Sequence, residues 1–255
     1  MPTKSGLRYW LSPLLALFAL WACAGPTSRD NIRKAAAIRE IGEAYMLQGD
    51  YTTALRELHD ARQLYPQDHI VHFDLGVCYT IKKRMPDAIV HFKRAIALKP
   101  SYVPARNNLG TVYLETRKWD AAIKIFKKIA KEALYATPHY PLSNLGLAYY
   151  HKGEYQAALE YYRQALKIEA NFVNALRGAG RVYLAMKDGR MAAGYLKRAL
   201  NLAPKAAEIH FDMAEASLLT GRRDQAKAYF ETVIVLEAPE SDLSAKAAQR
   251  LRSMR

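Results

Sequence analysis

One spacing constrains this chain more than any other property. The small residue in IGEAY (Gly42), LGVCY (Gly76), LGTVY (Gly110), LGLAY (Gly146), AGRVY (Gly180) and MAEAS (Ala214) recurs at steps of 34, 34, 36, 34 and 34 residues. A fixed period of about 20–50 residues marks an array in which each unit buries its apolar face against the next. Six blocks follow: 35–68, 69–102, 103–136, 139–172, 173–206 and 207–240. Position eight of the block is the small residue just named. Position seven is Ile41, Leu75, Leu109, Leu145, Ala179 and Met213, and position eleven is tyrosine through Tyr183, then Ser217. Position twenty is alanine in all six, and position twenty-four is Leu58, Phe92, Phe126, Tyr162, Leu196 and Phe230.

Positions seven, eight and eleven share one face of a first helix. Positions twenty, twenty-four and twenty-seven share one face of a second. Small residues at eight and twenty let the two helices approach closely, and the aromatic residue at eleven fills the gap beside them. QGDY (Gln48–Tyr51) and KGEY (Lys152–Tyr155) read as turns with a glycine at the permissive position. Pro66, Pro100 and Pro204 stop second helices. Ser241 reads as an N-cap, and Leu243, Ala247 and Leu251 as the apolar stripe of a capping helix over 241–255. The two extra residues fall in EALYATPHYP (132–141), which is expected as a surface loop that lets blocks one to three and four to six tilt slightly.

The block resembles the tetratricopeptide repeat. The resemblance implies an all-α, right-handed solenoid of six helix pairs plus the capping helix, with a concave partner-binding face. In that family, positions two, five, nine and twelve of the first helix face inward. They place Arg39, Phe73, Val77, Asn107, Thr111, Tyr140, Ser143, Leu147, Asn174, Arg177 and Arg181 on the candidate partner groove. The alternative for each is an ordinary surface residue. Family members that grip a C-terminal carboxylate carry lysine at five and asparagine at nine of an early repeat. Here those slots hold Arg39 with Glu43, and Phe73 with Val77, so no such clamp is expected.

The N-terminus has a different composition. Lys4 and Arg8 precede LSPLLALFALWA, an apolar run of about ten residues after Pro13. That is short of the roughly 20 residues a spanning helix needs, and it reads as an export signal (1–22), with a membrane anchor as the alternative. LWAC resembles a bacterial lipobox, with Leu20, Ala22 and then Cys23 as the acylated residue; an ordinary signal peptide with a chance cysteine is the alternative. Ala24 in place of aspartate resembles the outer-membrane sorting pattern, and residues 23–34 are expected to tether lipid to solenoid. Cys78, the other cysteine, lies in an apolar helical stretch and reads as a buried thiol. The net charge is +14, or +12 without Lys4 and Arg8. For an exported chain this favours anionic headgroups, peptidoglycan or an acidic protein over nucleic acid, although most basic residues read as solvated helix faces.

No catalytic constellation emerges. His69 and His72 lack a completing carboxylate or thiol, and GAG at 178–180 lies mid-helix with no preceding strand. No cofactor, metal or enzymatic activity is expected.

The whole chain resembles the type IV pilus biogenesis lipoprotein family (PilF/PilW). The specific residues are Asn107 and Asn108 opening repeat three, Leu134 and Tyr135 in the lengthened connection, and Asn144–Leu147 opening repeat four. The resemblance implies a monomeric pilotin on the periplasmic face of the outer membrane, helping secretin subunits reach that membrane and multimerise. The alternative is a general periplasmic scaffold, for example one organising cell-wall enzymes.

Overall fold

The computed structural model describes residues 28–132 and 137–254. Among them are thirteen helices and no strand. The six pairs are α1 (Ser28–Leu47) with α2 (Tyr51–Leu64), α3 (His69–Ile81) with α4 (Met85–Leu98), and α5 (Val103–Glu115) with α6 (Trp119–Ala130). They continue as α7 (His139–His151) with α8 (Tyr155–Ile168), α9 (Val173–Ala185) with α10 (Gly189–Leu202), and α11 (Ala207–Leu219) with α12 (Arg223–Leu236). The capping helix is α13 (Asp242–Ser253), and the Ser241 side chain accepts from the Ser244 amide at its start.

The pairing chemistry is the one the repeat requires. A methyl group built on Gly76 or Gly110 would lie 2.6 Å from the ring of Phe92 or Phe126. The corresponding contacts are 2.9 Å for Gly42 with Leu58, 2.8 Å for Gly146 with Tyr162 and 2.6 Å for Gly180 with Leu196. Position-eight glycines are therefore seats for position-twenty-four side chains, and all six position-twenty alanines are fully buried.

The turn inside each pair is also repeated. The amide at position sixteen donates to the carbonyl at position eleven, as in Asp50 to Tyr45 (3.0 Å) and Arg84 to Tyr79 (2.8 Å). This closure needs a left-handed residue just before it. Gly49, Gly153 and Gly221 supply it at φ 74–81°, as expected of glycine. Lys83, Arg117 and Lys187 adopt the same conformation at φ 57–61°, at a steric cost of roughly 1 kcal/mol each. Their side chains point into solvent, and the register of the pair outweighs the local preference.

Two expectations need correction. Residues 28–34 are not tether but the opening turns of α1. No glycine or proline interrupts 28–41, and Asp30 sits in the first turn, where the helix dipole favours an acid. Ile41 does not share the burial of its equivalents and is 48% exposed, because among the described residues no helix before the first pair covers that side. Most basic residues read as solvated faces, but two at position twenty-five engage the position-eleven tyrosine of the next repeat. Arg163 Nη2 donates to the Tyr183 hydroxyl (3.1 Å), and the Lys127 ammonium stands 5.5 Å from the Tyr149 ring centroid.

The apolar core runs unbroken past the 132–141 segment. Phe126 and Ile129 before it share one cluster with Leu142 and Leu145 after it. Leu134 and Tyr135 lie outside the described residues, as do Cys23 and the rest of the N-terminal segment. No described helix is long and apolar enough to cross a membrane.

Candidate functional site

Each first helix touches the first helix of the next pair, up to α13, whereas among the described residues the second helices make no such direct series. The first helices therefore form one continuous inner face. Most of the eleven groove side chains are half-buried between neighbouring helices; Tyr140 and Asn174 are exposed and Ser143 is buried.

The N-terminal part of this face is closed by its own contacts. Arg39 meets Glu43 (Nε–Oε1 2.9 Å) and Asp68 (Nη1–Oδ2 3.1 Å). Asp74 is buried nearby, and burial, with Glu43 adding repulsion, pushes its carboxyl up to about 7. Phe73 packs on Phe92 and Tyr102, with ring centroids 5.9 and 5.4 Å away. Val77 borders a shallow apolar cleft with Met46 and Ile81. In the middle, Thr111 Oγ1 donates to the carbonyl of Asn107 (3.2 Å). Arg106 binds both carboxylate oxygens of Glu132, Nη2 to Oε2 at 2.7 Å, and these bonds hold the Glu132 carboxyl below its usual range. That pair ties the third repeat to the start of the lengthened connection.

Six of the eleven predicted groove residues converge farther along. Tyr140, Ser143 and Leu147 of α7, with Asn174, Arg177 and Arg181 of α9, line one cavity of about 200 Å³. Arg39, Phe73, Val77, Asn107 and Thr111 do not reach it. Its remaining wall is Asn144, Tyr150, Tyr162, Phe172 and Gly178, of which none was singled out as a groove residue. Tyr162 carried a signal, because it is the one tyrosine at a position otherwise held by leucine and phenylalanine. Its ring lies over Gly178, where an added methyl would stand 2.3 Å from Cζ. GAG is thus mid-helix, as read, and its first glycine is the seat of a neighbouring repeat's ring.

The electrostatics of the cavity are asymmetric. Arg177 Nε binds Asp212 Oδ2 of α11 at 2.7 Å. Burial raises the Asp212 carboxyl, against the pull of Arg177. Arg181 instead stacks its guanidinium 5.1 Å from the Tyr150 ring centroid. The aromatic walls meet edge to face, Tyr140 to Phe172 at 5.0 Å. Among the described residues, no group of three or more metal-ligating side chains occurs.

Tetratricopeptide-repeat family profiles match residues 39–103, 103–171 and 187–250. The structure is similar to that of PilW, described as a widely conserved type IV pilus biogenesis factor. The TM-score is 0.76 at 19% identity, over 84% of this chain and 98% of that one. For pilF of Pseudomonas aeruginosa the TM-score is 0.72 at 18% identity, over 88% and 99%. The anaphase-promoting complex assembly Cut9–Hcn1 gives the same score, but only 45% of that chain is covered. Among curated proteins, the BBSome complex member BBS4 of Bos taurus is 23% identical over 197 residues. Anaphase-promoting complex subunit 3 of Schizosaccharomyces pombe is 21% identical over 229 residues. The chain spans 38% and 34% of those two relatives' lengths. Likeness at these identities concerns the fold.

Proposed function

For a chain that belongs to the tetratricopeptide-repeat family, we propose a protein-binding role in type IV pilus biogenesis, as a pilotin that holds secretin subunits on its inner face. The observation that carries this reading is the end-to-end match in extent: the two pilus proteins are covered over 98% and 99% of their chains. The other tetratricopeptide relatives named above are much longer than this chain. The inner face supplies what a holding protein needs, namely a row of mostly half-buried side chains and an open cavity between its fourth and fifth repeats. In this reading the lipid on Cys23 anchors the chain to the periplasmic face of the outer membrane, and more than one acyl chain makes that anchoring stable.

The test is co-purification. Full-length protein extracted from membranes is expected to retain the secretin subunit. The Cys23→Ala form should retain it in the soluble periplasmic fraction. Recovery of cell-wall hydrolases with no secretin would replace this reading with the general scaffold.

A further inference from the structure

We infer that the cavity between α7, α8 and α9 receives the carboxylate side chain of an aspartate or glutamate in the bound polypeptide. This rests on the reading that the inner face holds a protein partner, and it names the residue type the cavity selects.

Unpaired polar groups point to a ligand. Other arginines of the solenoid meet carboxylates of the chain itself: Arg39 with Asp68, Arg106 with Glu132, Arg177 with Asp212 and Arg250 with Glu215. Among the described residues Arg181 has neither an ion pair nor a hydrogen bond; its contact is the Tyr150 ring. Tyr162 is 2% exposed, yet its hydroxyl makes no hydrogen bond to another described residue. The oxygen is not one of the fully enclosed polar atoms, so it opens on the cavity. The side chains of Ser143, Asn144 and Asn174 border the same space without a hydrogen-bond partner among the described residues. One cation without a carboxylate partner and several hydroxyl and amide groups, from three helices, thus face the same space.

The chemistry favours a carboxylate over other anions. Arg177 is neutralised by Asp212, so the cavity offers one net positive charge, which a singly charged carboxylate matches and a phosphate exceeds. Guanidinium and carboxylate are complementary planar forks. The volume of about 200 Å³ equals roughly six or seven waters at ~30 Å³ each, room for a short side chain and not for a folded element. The site lies between the fourth and fifth of six repeats. An extended segment lying along the inner face therefore presents a side chain there rather than its terminus. Tyr140 and Phe172 supply an apolar wall for the residue beside the acid.

Calorimetry with the full chain tests this with the blocked peptide acetyl-Leu-Glu-Phe-Leu-amide, its Gln counterpart, and acetyl-Leu-Gln-Phe-Leu with a free C-terminus. The Glu peptide is expected to bind about tenfold more tightly than the Gln peptide, the worth of one charge-assisted contact. Arg181→Gln should erase that preference. Tyr162→Phe should weaken Glu-peptide binding about threefold without lowering the melting temperature. Equal binding of the Glu and Gln peptides, absence of binding at millimolar peptide, or a preference for the free C-terminus would overturn the inference. The two readings separate cleanly. If wild type and Arg181→Gln retain the secretin subunit equally, the carboxylate site falls and the holding role stands. If no secretin is retained while the Glu peptide binds through Arg181, the holding role falls and the site stands.

Discussion

Phe126→Ala is expected to lower the free energy of unfolding by about 3–5 kcal/mol, the range for deleting a fully buried phenylalanine. Phe126 has no solvent exposure and lies against Gly110, at the junction where the third pair meets the fourth. Its cluster includes Ile123, Ile129 and Leu145. In a repeat array, stability is close to a sum of unit and neighbour terms. A defect at the centre therefore uncouples two halves, whereas Phe230→Ala, the same deletion near the C-terminal end, frays the last units. Denaturation followed by circular dichroism should show an earlier, broader transition for Phe126→Ala and a smaller early phase for Phe230→Ala. A Phe126→Ala curve superimposable on wild type would contradict this account of the core.

The second large effect is a pH dependence centred on His91. Its imidazole is pushed down to about 4, chiefly by burial and then by His72, Arg62 and His59. His72 Nε2 lies 3.2 Å from the Pro66 carbonyl, and its Nδ1 is 3.1 Å from His91 Nδ1. With His72 donating to Pro66, its Nδ1 accepts from His91, an arrangement that requires His72 to be neutral. Below pH ~6.5 the unfolded chain binds a proton that folded His91 refuses. The stabilisation is therefore present above that pH and lost as pH falls towards 4. Full linkage gives about 3 kcal/mol, reduced to roughly 2 by solvent screening. Asp74 runs the other way: its raised pKa favours the fold below ~4, and that favour fades as pH rises through about 7. The diagnostic quantity is thus the difference between wild type and His91→Gln. It should shift against wild type by roughly 2 kcal/mol from pH 7 to pH 4 in denaturant titrations. A difference constant across that range would remove His91 from the acid response.

Much of the fold was legible because each repeat rule has a direct steric cause. Gly76 and Phe92, or Gly146 and Tyr162, are sixteen residues apart and must touch, so their joint recurrence reads as contact. The left-handed turns at Lys83, Arg117 and Lys187 were not legible, since only glycine advertises that conformation. The start of α1 was missed because residues before the first block lie outside the period. Of the eleven groove positions, Tyr140, Ser143, Leu147, Asn174, Arg177 and Arg181 share one cavity and the other five do not. What periodicity could not show is which of them stay open. Arg39 and Arg177 occupy the same block position as Phe73, and each is taken up by a partner from a different element. Phe172, the last residue of its block, enters the cavity from outside the inner-face positions, whereas Tyr150 stands at position twelve, an inward position.

The role proposed for this chain is to hold secretin subunits so that they assemble. The direct measurement is the level of heat-resistant secretin multimers in outer-membrane fractions from cells lacking this chain. The account predicts that multimers fall sharply while monomers persist, and that the wild-type chain restores them. Normal multimers in the outer membrane of the deletion strain would contradict it.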